Sequence, residues 1–257
     1  MIKAIYLQTW EILKKLPVKL WGISLLAGVL GIIAGIFGGV PLLGIALSAA
    51  VSAGMYAVYY TVYRGGEAET NTLFAPFKDW KTFKRVAGGM CWMYLWIFLW
   101  ALIPIAGIFF AIYKSFQYAF TPFILMQEPT VSGRQALKKS MEDTKGYKGY
   151  MFLAILLPTI AFLLVSIILS ALGLIPYVGI LFTIIGAIVT IVWCLFSSLF
   201  FGLVNAGFYD YGKKPAYIPA ASTETPALAG PPITCPTCGS ENSSDKKFCG
   251  HCGAKLD

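Results

Sequence analysis

Leu102-Ile103-Pro104-Ile105-Ala106-Gly107-Ile108 interrupts a long apolar tract, and its reading decides the fold. Read as a flaw, it kinks one helix. Read as a turn, it joins two. The same pattern, a β-branched residue, Pro, two apolar residues, Gly and Ile, recurs at Val40-Pro41-Leu42-Leu43-Gly44-Ile45 and at Ile175-Pro176-Tyr177-Val178-Gly179-Ile180. Proline removes a helical N–H and crowds the preceding turn, and glycine tolerates the chain reversal. Three such stretches predict the tips of three helical hairpins.

The tracts around them have the composition of membrane spans. The chain of 257 residues is 58% hydrophobic and 12% charged, against about a quarter charged in soluble domains. No Asp, Glu, Lys or Arg occurs in 20–63, 86–113 or 149–209, and a crossing needs about 20 apolar residues. The expected fold is an all-α membrane protein of six transmembrane helices, arranged as three hairpins with Pro-x-x-Gly tips, plus a small C-terminal zinc ribbon. The expected domains are an amphipathic interfacial helix over 1–18, a transmembrane domain over 19–212, a disordered linker over 213–233 and the ribbon over 234–257.

A rival reading has five spans. There 86–113 is one Pro-kinked helix, Lys114 lies at its end and 115–127 lies in the interface. It spares lipid a lysine but sets basic segments on both sides of the membrane. With six spans every basic segment falls on one side, and the positive-inside rule then puts both termini in the cytoplasm of a cell membrane. The net charge of +8 is explained by the same rule and by contact with anionic lipid, so nucleic acid is not an expected partner. The first apolar tract outruns the roughly 7–15 residues of a cleavable signal.

The polar segments carry helical periodicity. Ile2, Ile5, Tyr6, Trp10, Leu13 and Leu16 alternate with Lys3, Gln8, Glu11, Lys14 and Lys15, which suits a helix in the membrane surface or a cap on the bundle. Leu73, Phe77, Trp80 and Phe83 share a helical face in the next segment, with Pro76 in its first turn. Ser132-Gly133-Arg134-Gln135 has the form of a capping box. Beyond it Ala136, Leu137, Ser140 and Met141 face the membrane, while Lys138–Glu142 and Lys139–Asp143 are spaced to pair. Tyr56, Tyr59, Tyr60 and Tyr63 suggest an aromatic belt, and Pro158 a kink. Gly31, Gly35 and Gly39 allow close helix approach, within the chain or in an oligomer.

Chemistry concentrates at the C-terminus. Cys235-Pro236-Thr237-Cys238-Gly239 and Cys249-Gly250-His251-Cys252-Gly253 are two Cys-x-x-Cys knuckles. Their four thiolates suit tetrahedral zinc, and a full thiolate shell leaves no position for water, so the site is structural. Zinc would supply the folding energy of so short a segment, on the order of 10–16 kcal/mol. His251 is read as a bystander. Glu241, Asp245 and Asp257 balance Lys246, Lys247 and Lys255, which favours a cytoplasmic protein partner over nucleic acid. A reducing cytoplasm keeps the thiols available.

In the membrane part, Lys114 and Asn205 are the candidate functional residues. An intramembrane charge marks a site by default, an anion or lipid-phosphate contact or a gating charge; snorkelling or pairing with carbonyls freed by Pro104 or Pro158 is the structural alternative. Asn205 and Gln117 line a polar path or bond between helices. Trp92, Trp96 and Trp100, four apart, form a packing and anchoring stripe or a ligand-facing one. No intramembrane carboxylate pair, second histidine or phosphate loop is present, so no enzyme activity is expected.

Ile103-Pro104, 118–129, Ala136-Leu137, Ser140-Met141, Lys145-Gly146 and Ala206-Gly207-Phe208-Tyr209 together resemble a family of uncharacterised bacterial multi-pass membrane proteins, the domain-of-unknown-function family numbered 975. The resemblance covers about 102–210. The chain departs from that family where Glu142-Asp143-Thr144 intervene before Lys145. It is also similar to the membrane domain attached to some glycerophosphodiester phosphodiesterases. The resemblance implies a bacterial inner-membrane protein and no known activity. Two functions are expected: a non-enzymatic module acting through its ribbon, or a small transporter or lipid-binding permease acting through its hairpins.

Overall fold

The computed structural model describes residues 1–15, 17–36, 41–104, 106–213, 233–234, 236–238 and 241–242. They belong to two units, Met1–Lys214 and Pro215–Asp257. The first is helical: α1 (Ile2–Lys14), α2 (Val18–Ile36), α3 (Pro41–Tyr63), α4 (Thr70–Phe74), a 3-10 turn (Ala75–Phe77), α5 (Trp80–Ala101), α6 (Gly107–Gln117), α7 (Thr121–Gln127), α8 (Gly133–Asp143), α9 (Lys148–Leu172) and α10 (Gly179–Lys213). Val18–Ile36, Leu43–Tyr63, Gly107–Gln127, Lys148–Leu172 and Gly179–Lys213 are long and apolar enough to cross a membrane. The third of these is folded as two helices, α6 and α7. The helix α5 is long enough too, but Lys81, Lys84 and Arg85 charge its first turns.

The second and third tips are turns of one design. After α5, the Gly107 N–H donates to the Ile103 carbonyl at 2.9 Å and the Ala106 N–H to the Pro104 carbonyl at 2.7 Å. After α9, Gly179 donates to Ile175 and Val178 to Pro176, both at 2.8 Å. A Cβ on Gly107 would lie 2.7 Å from the Ala101 carbonyl oxygen, and one on Gly179 would lie 2.2 Å from that of Gly173. The glycines are required by this closeness. The continuous helix over 86–113 is therefore absent: α6 folds back on α5, with Trp100 against Phe110 at 5.6 Å. The first stretch differs. Pro41 opens α3 and Gly44 lies inside it, while residues 37–40 and Ile105 are outside the described residues.

The core lies where the ends of the helices meet the polar segments. Helix α3 is its centre and packs on α2, α5, α7 and α10. Phe123 stacks on Tyr209 at 4.8 Å, and Tyr56 and Tyr60 meet Phe123 and Tyr209 edge-on at 5.1 Å each. The tyrosines read as a belt are thus interior: Tyr59, Tyr60 and Tyr63 are buried. Clustering along a sequence does not report depth. Beyond this core α9 and α10 touch little but each other, with Phe162 stacked on Trp193 at 4.5 Å. Their outer faces bare Leu157, Leu164, Ile168, Ile184, Ile188 and Val192, more apolar surface than a water-soluble fold leaves open.

Helix α1 caps the bundle by burying Ile5, Thr9 and Leu13 against α10 and α3, leaving Leu7 and Trp10 exposed. Pro158 lies inside α9 and has no N–H for the Ala154 carbonyl. The Tyr6 hydroxyl donates to that carbonyl instead. The segment 64–85 is not one helix: Pro76 sits in the 3-10 turn, and the Asp79 carboxylate caps α5 by accepting from the Thr82 N–H at 2.7 Å. Leu73 is buried and Trp80 is exposed, so the expected common face is split.

Candidate functional site

The membrane part holds one side-chain constellation that brings sequence candidates together. Gly89 of α5 and Gly133 of α8 meet backbone to backbone: a Cβ on Gly133 would lie 2.5 Å from the Gly89 Cα. This contact lays α8 beside α5. The Ser132–Gln135 capping box starts α8 as the sequence predicts. From α5, Arg85 donates to the Leu125 carbonyl at 2.8 Å and to the Val131 carbonyl at 3.3 Å, tying down the chain that enters α8.

The far end of α8 closes over the break between α6 and α7. Pro122 cannot donate to the Tyr118 carbonyl, so a continuous helix fails there. The Ser140 hydroxyl donates to the Gln117 carbonyl at 2.8 Å and accepts from the Phe120 N–H at 3.1 Å. Thr144 adds a longer bond to the Gln117 carbonyl. Ala136, Leu137 and Ser140, expected to face the membrane, are instead buried in protein.

Between α5 and α8 lies a groove of about 580 Å³. One wall is Trp92, Trp96 and Trp100; the other is Arg134, Leu137, Lys138 and Met141; Lys114 and Tyr118 close the end. The Arg134 guanidinium lies 5.0 Å from the Trp92 ring centre, and the Lys114 ammonium lies 5.2 Å from that of Trp100 and 5.9 Å from that of Tyr118. The tryptophan stripe therefore faces cations of its own chain. Lys114 makes no bond to a carbonyl freed by Pro104 or Pro158 among the described residues; Tyr6 takes the latter.

Glu128, the carboxylate just before α8, is engaged away from the groove lining. Glu128 accepts from Lys139 at 2.7 Å and from Lys213 at 3.2 Å. Lys139 thus pairs across elements and not with Asp143, and Lys138–Glu142 does not form. The Lys139 bond holds the Glu128 carboxyl below its usual range, with Lys213 adding and burial opposing. Burial pushes the Asp143 carboxyl up.

Asn205 is half-buried on α10 and does not line the groove, so it is not joined to Lys114. Among the described residues nothing lies within 4 Å of where a Cβ on Gly31 or Gly35 would sit, so neither shows the close helix approach there; Gly39 lies outside the described residues. Sequence reading missed Arg134 and Lys138 as partners of Lys114. Their spacing with Met141 down one face of α8 was the available signal.

In the second unit, β1 (Ile233–Thr234) pairs antiparallel with β2 (Glu241–Asn242), Ile233 opposite Asn242 and Thr234 opposite Glu241. Residues 236–238 form a turn between them, with Cys238 exposed in it. Cys235, Cys249 and Cys252 lie outside the described residues, as does the linker apart from its ends. Residues 234–256 match the zinc-ribbon domain family. No curated protein and no solved structure matches the chain.

Proposed function

We propose that this is a non-enzymatic bacterial inner-membrane protein whose zinc ribbon lies in the cytoplasm and binds a protein partner. The observation that carries the reading is the zinc-ribbon match at 234–256, in the same chain as helices long and apolar enough to span a membrane. Cys235, Cys238, Cys249 and Cys252 would hold the metal, whose role is to fold the ribbon. Six crossings, both termini inside, agree with the second and third turns and with basic residues that, Lys114 apart, fall in the segments between hairpins and at the two ends. The resemblance over 102–210 to the family numbered 975 supports the membrane part and assigns no activity. The groove between α5 and α8 supports a second reading, a lipid-binding permease, in its ligand-binding half.

The test is thiol labelling in vesicles, with Cys91 and Cys194 replaced by serine. A membrane-impermeant maleimide is expected to label the four ribbon cysteines only in inside-out vesicles, and only after zinc is chelated. Labelling from the outside overturns the orientation, and labelling without chelation overturns the metal site. Deleting 213–257 is expected to abolish partner binding while 1–212 still inserts. Substrate handling that survives the deletion favours the permease.

A further inference from the structure

We infer that the groove between α5 and α8 binds a membrane lipid carrying two phosphates. The phosphates lie along Arg134, Lys138 and Lys114, and the glycerol and first acyl carbons lie against Trp92, Trp96 and Trp100. The inference rests on the membrane reading and is independent of the ribbon.

Charge is the first ground. Arg134, Lys138 and Lys114 line one groove, and among the described residues none forms an ion pair. Three cations gathered without a counter-charge repel one another, and an anion that spans them removes that penalty. One phosphodiester neutralises one of the three; two phosphates neutralise most of the set. The spacing fits as well. Trp92, beneath Arg134, and Trp100, beneath Lys114, are eight residues apart on α5, a rise of about 12 Å. Lys138 comes one turn of α8 after Arg134, towards the Lys114 end. The cations thus form a row and not a point.

The walls select a lipid over a soluble polyphosphate. Trp92 and Trp100 hold two of the cations over their rings. Met141 and Leu137 offer nothing to phosphate, and with the Trp96 ring they suit hydrocarbon and glycerol. Apolar side chains at Leu95, Leu99 and Phe98 continue from the groove wall onto the exposed faces of α5, where acyl chains would leave the site.

The test places the full chain in phosphatidylcholine nanodiscs doped with phosphatidylglycerol, one phosphate, or diphosphatidylglycerol, two. Retained lipid is counted by native mass spectrometry, and tryptophan quenching by brominated chains reports contact with the groove. Diphosphatidylglycerol is expected to be retained at least about fivefold over phosphatidylglycerol, the worth of one additional charge pair near a membrane surface. Lys138→Glu removes one cation and adds one anion, so it should lower retention on the order of 25-fold. Its side chain is exposed and makes no hydrogen bond among the described residues, so the fold is expected to tolerate the change; Arg134→Gln, a loss of about fivefold, is the second variant. Lys81→Gln, basic and away from the groove, should change nothing. Equal retention of the two lipids, or retention indifferent to both groove variants, overturns the inference. Displacement of the lipid by inorganic pyrophosphate reassigns the groove to a soluble ligand and overturns it too. A chain that does not enter nanodiscs overturns the membrane reading itself.

Discussion

After the turn at Gly179, α10 runs for 35 residues without interruption; after the equivalent turn at Gly107, α6 stops at 11. Helix α9, with 25 residues, and α10 are uncharged between 149 and 209, and before the core takes up 199–209 of α10 their outer faces are bare. The helices α5, α6 and α7 are charged near their ends, broken at 118–120 and covered on one side by α8. One turn thus serves a hairpin long and apolar enough to cross a membrane and a hairpin that builds a groove. The two diverge in the returning helix. In α10 no proline occurs; in the second hairpin Pro122 stops the helix, and a serine on another element satisfies the opened backbone.

The strongest way to break this contrast is at the glycine contact. Gly133→Val places carbon inside the Gly89 backbone and is expected to cost about 3 kcal/mol by overpacking. It should appear as a lower Tm in detergent and as faster hydrogen exchange in α8. Gly186→Ala in the third hairpin, with Leu169 Cβ at an ordinary 3.8 Å, should leave Tm unchanged. Equal losses would show that both hairpins are packed alike.

Serines sharpen it next. Ser140→Ala leaves the buried Phe120 N–H without its acceptor, at about 1–3 kcal/mol. The Ser166 hydroxyl, buried on α9, has no partner among the described residues, so Ser166→Ala should be neutral or slightly stabilising by the same thermal measurement.

The smallest effect concerns acid. Glu128 joins α8 to the end of α10 through Lys139 and Lys213. Its folded pKa is depressed, so its contribution is fully present above the ordinary value near 4.3 and is lost as pH falls through the lower folded value. Asp143 works the other way: its folded pKa is raised, so its penalty is relieved as pH falls through that raised value. Glu128→Gln should cost about 0.5–1 kcal/mol at neutral pH and little in acid. A constant difference between the two proteins across that range would count against the pairing.

The turns at 103–107 and 175–179 were legible because proline and glycine act locally, and so was the Ser132–Gln135 capping box. The break in Gly107–Gln127 was less so. The composition there reads as one span, and Pro122 marked the weak point, yet its rescue comes from Ser140, more than a dozen residues on. The pairing of Lys139 failed for the same reason: Asp143 was near in sequence, but Glu128 was nearer in space. Of the candidate site, Lys114 and the tryptophans were visible, and their neighbours on α8 were not, because only the Gly89–Gly133 contact brings them together. The zinc-ribbon match at 234–256 needed no such contact, since cysteine spacing within a few residues carries that signal.

The bond from Tyr6 to Ala154 joins residues 148 apart in the chain. Helix α1 leaves the ribosome before α9, which carries the proline-freed carbonyl, and before α10, and it docks on both. At ordinary rates of translation it waits roughly 10–40 s for the buried part of α10, about 200 residues later. Its burial of Ile5 and Leu13 against α10 therefore comes after the third hairpin is made, so α1 settles later than helices synthesised after it. A chain truncated before residue 148 leaves that apolar face uncovered.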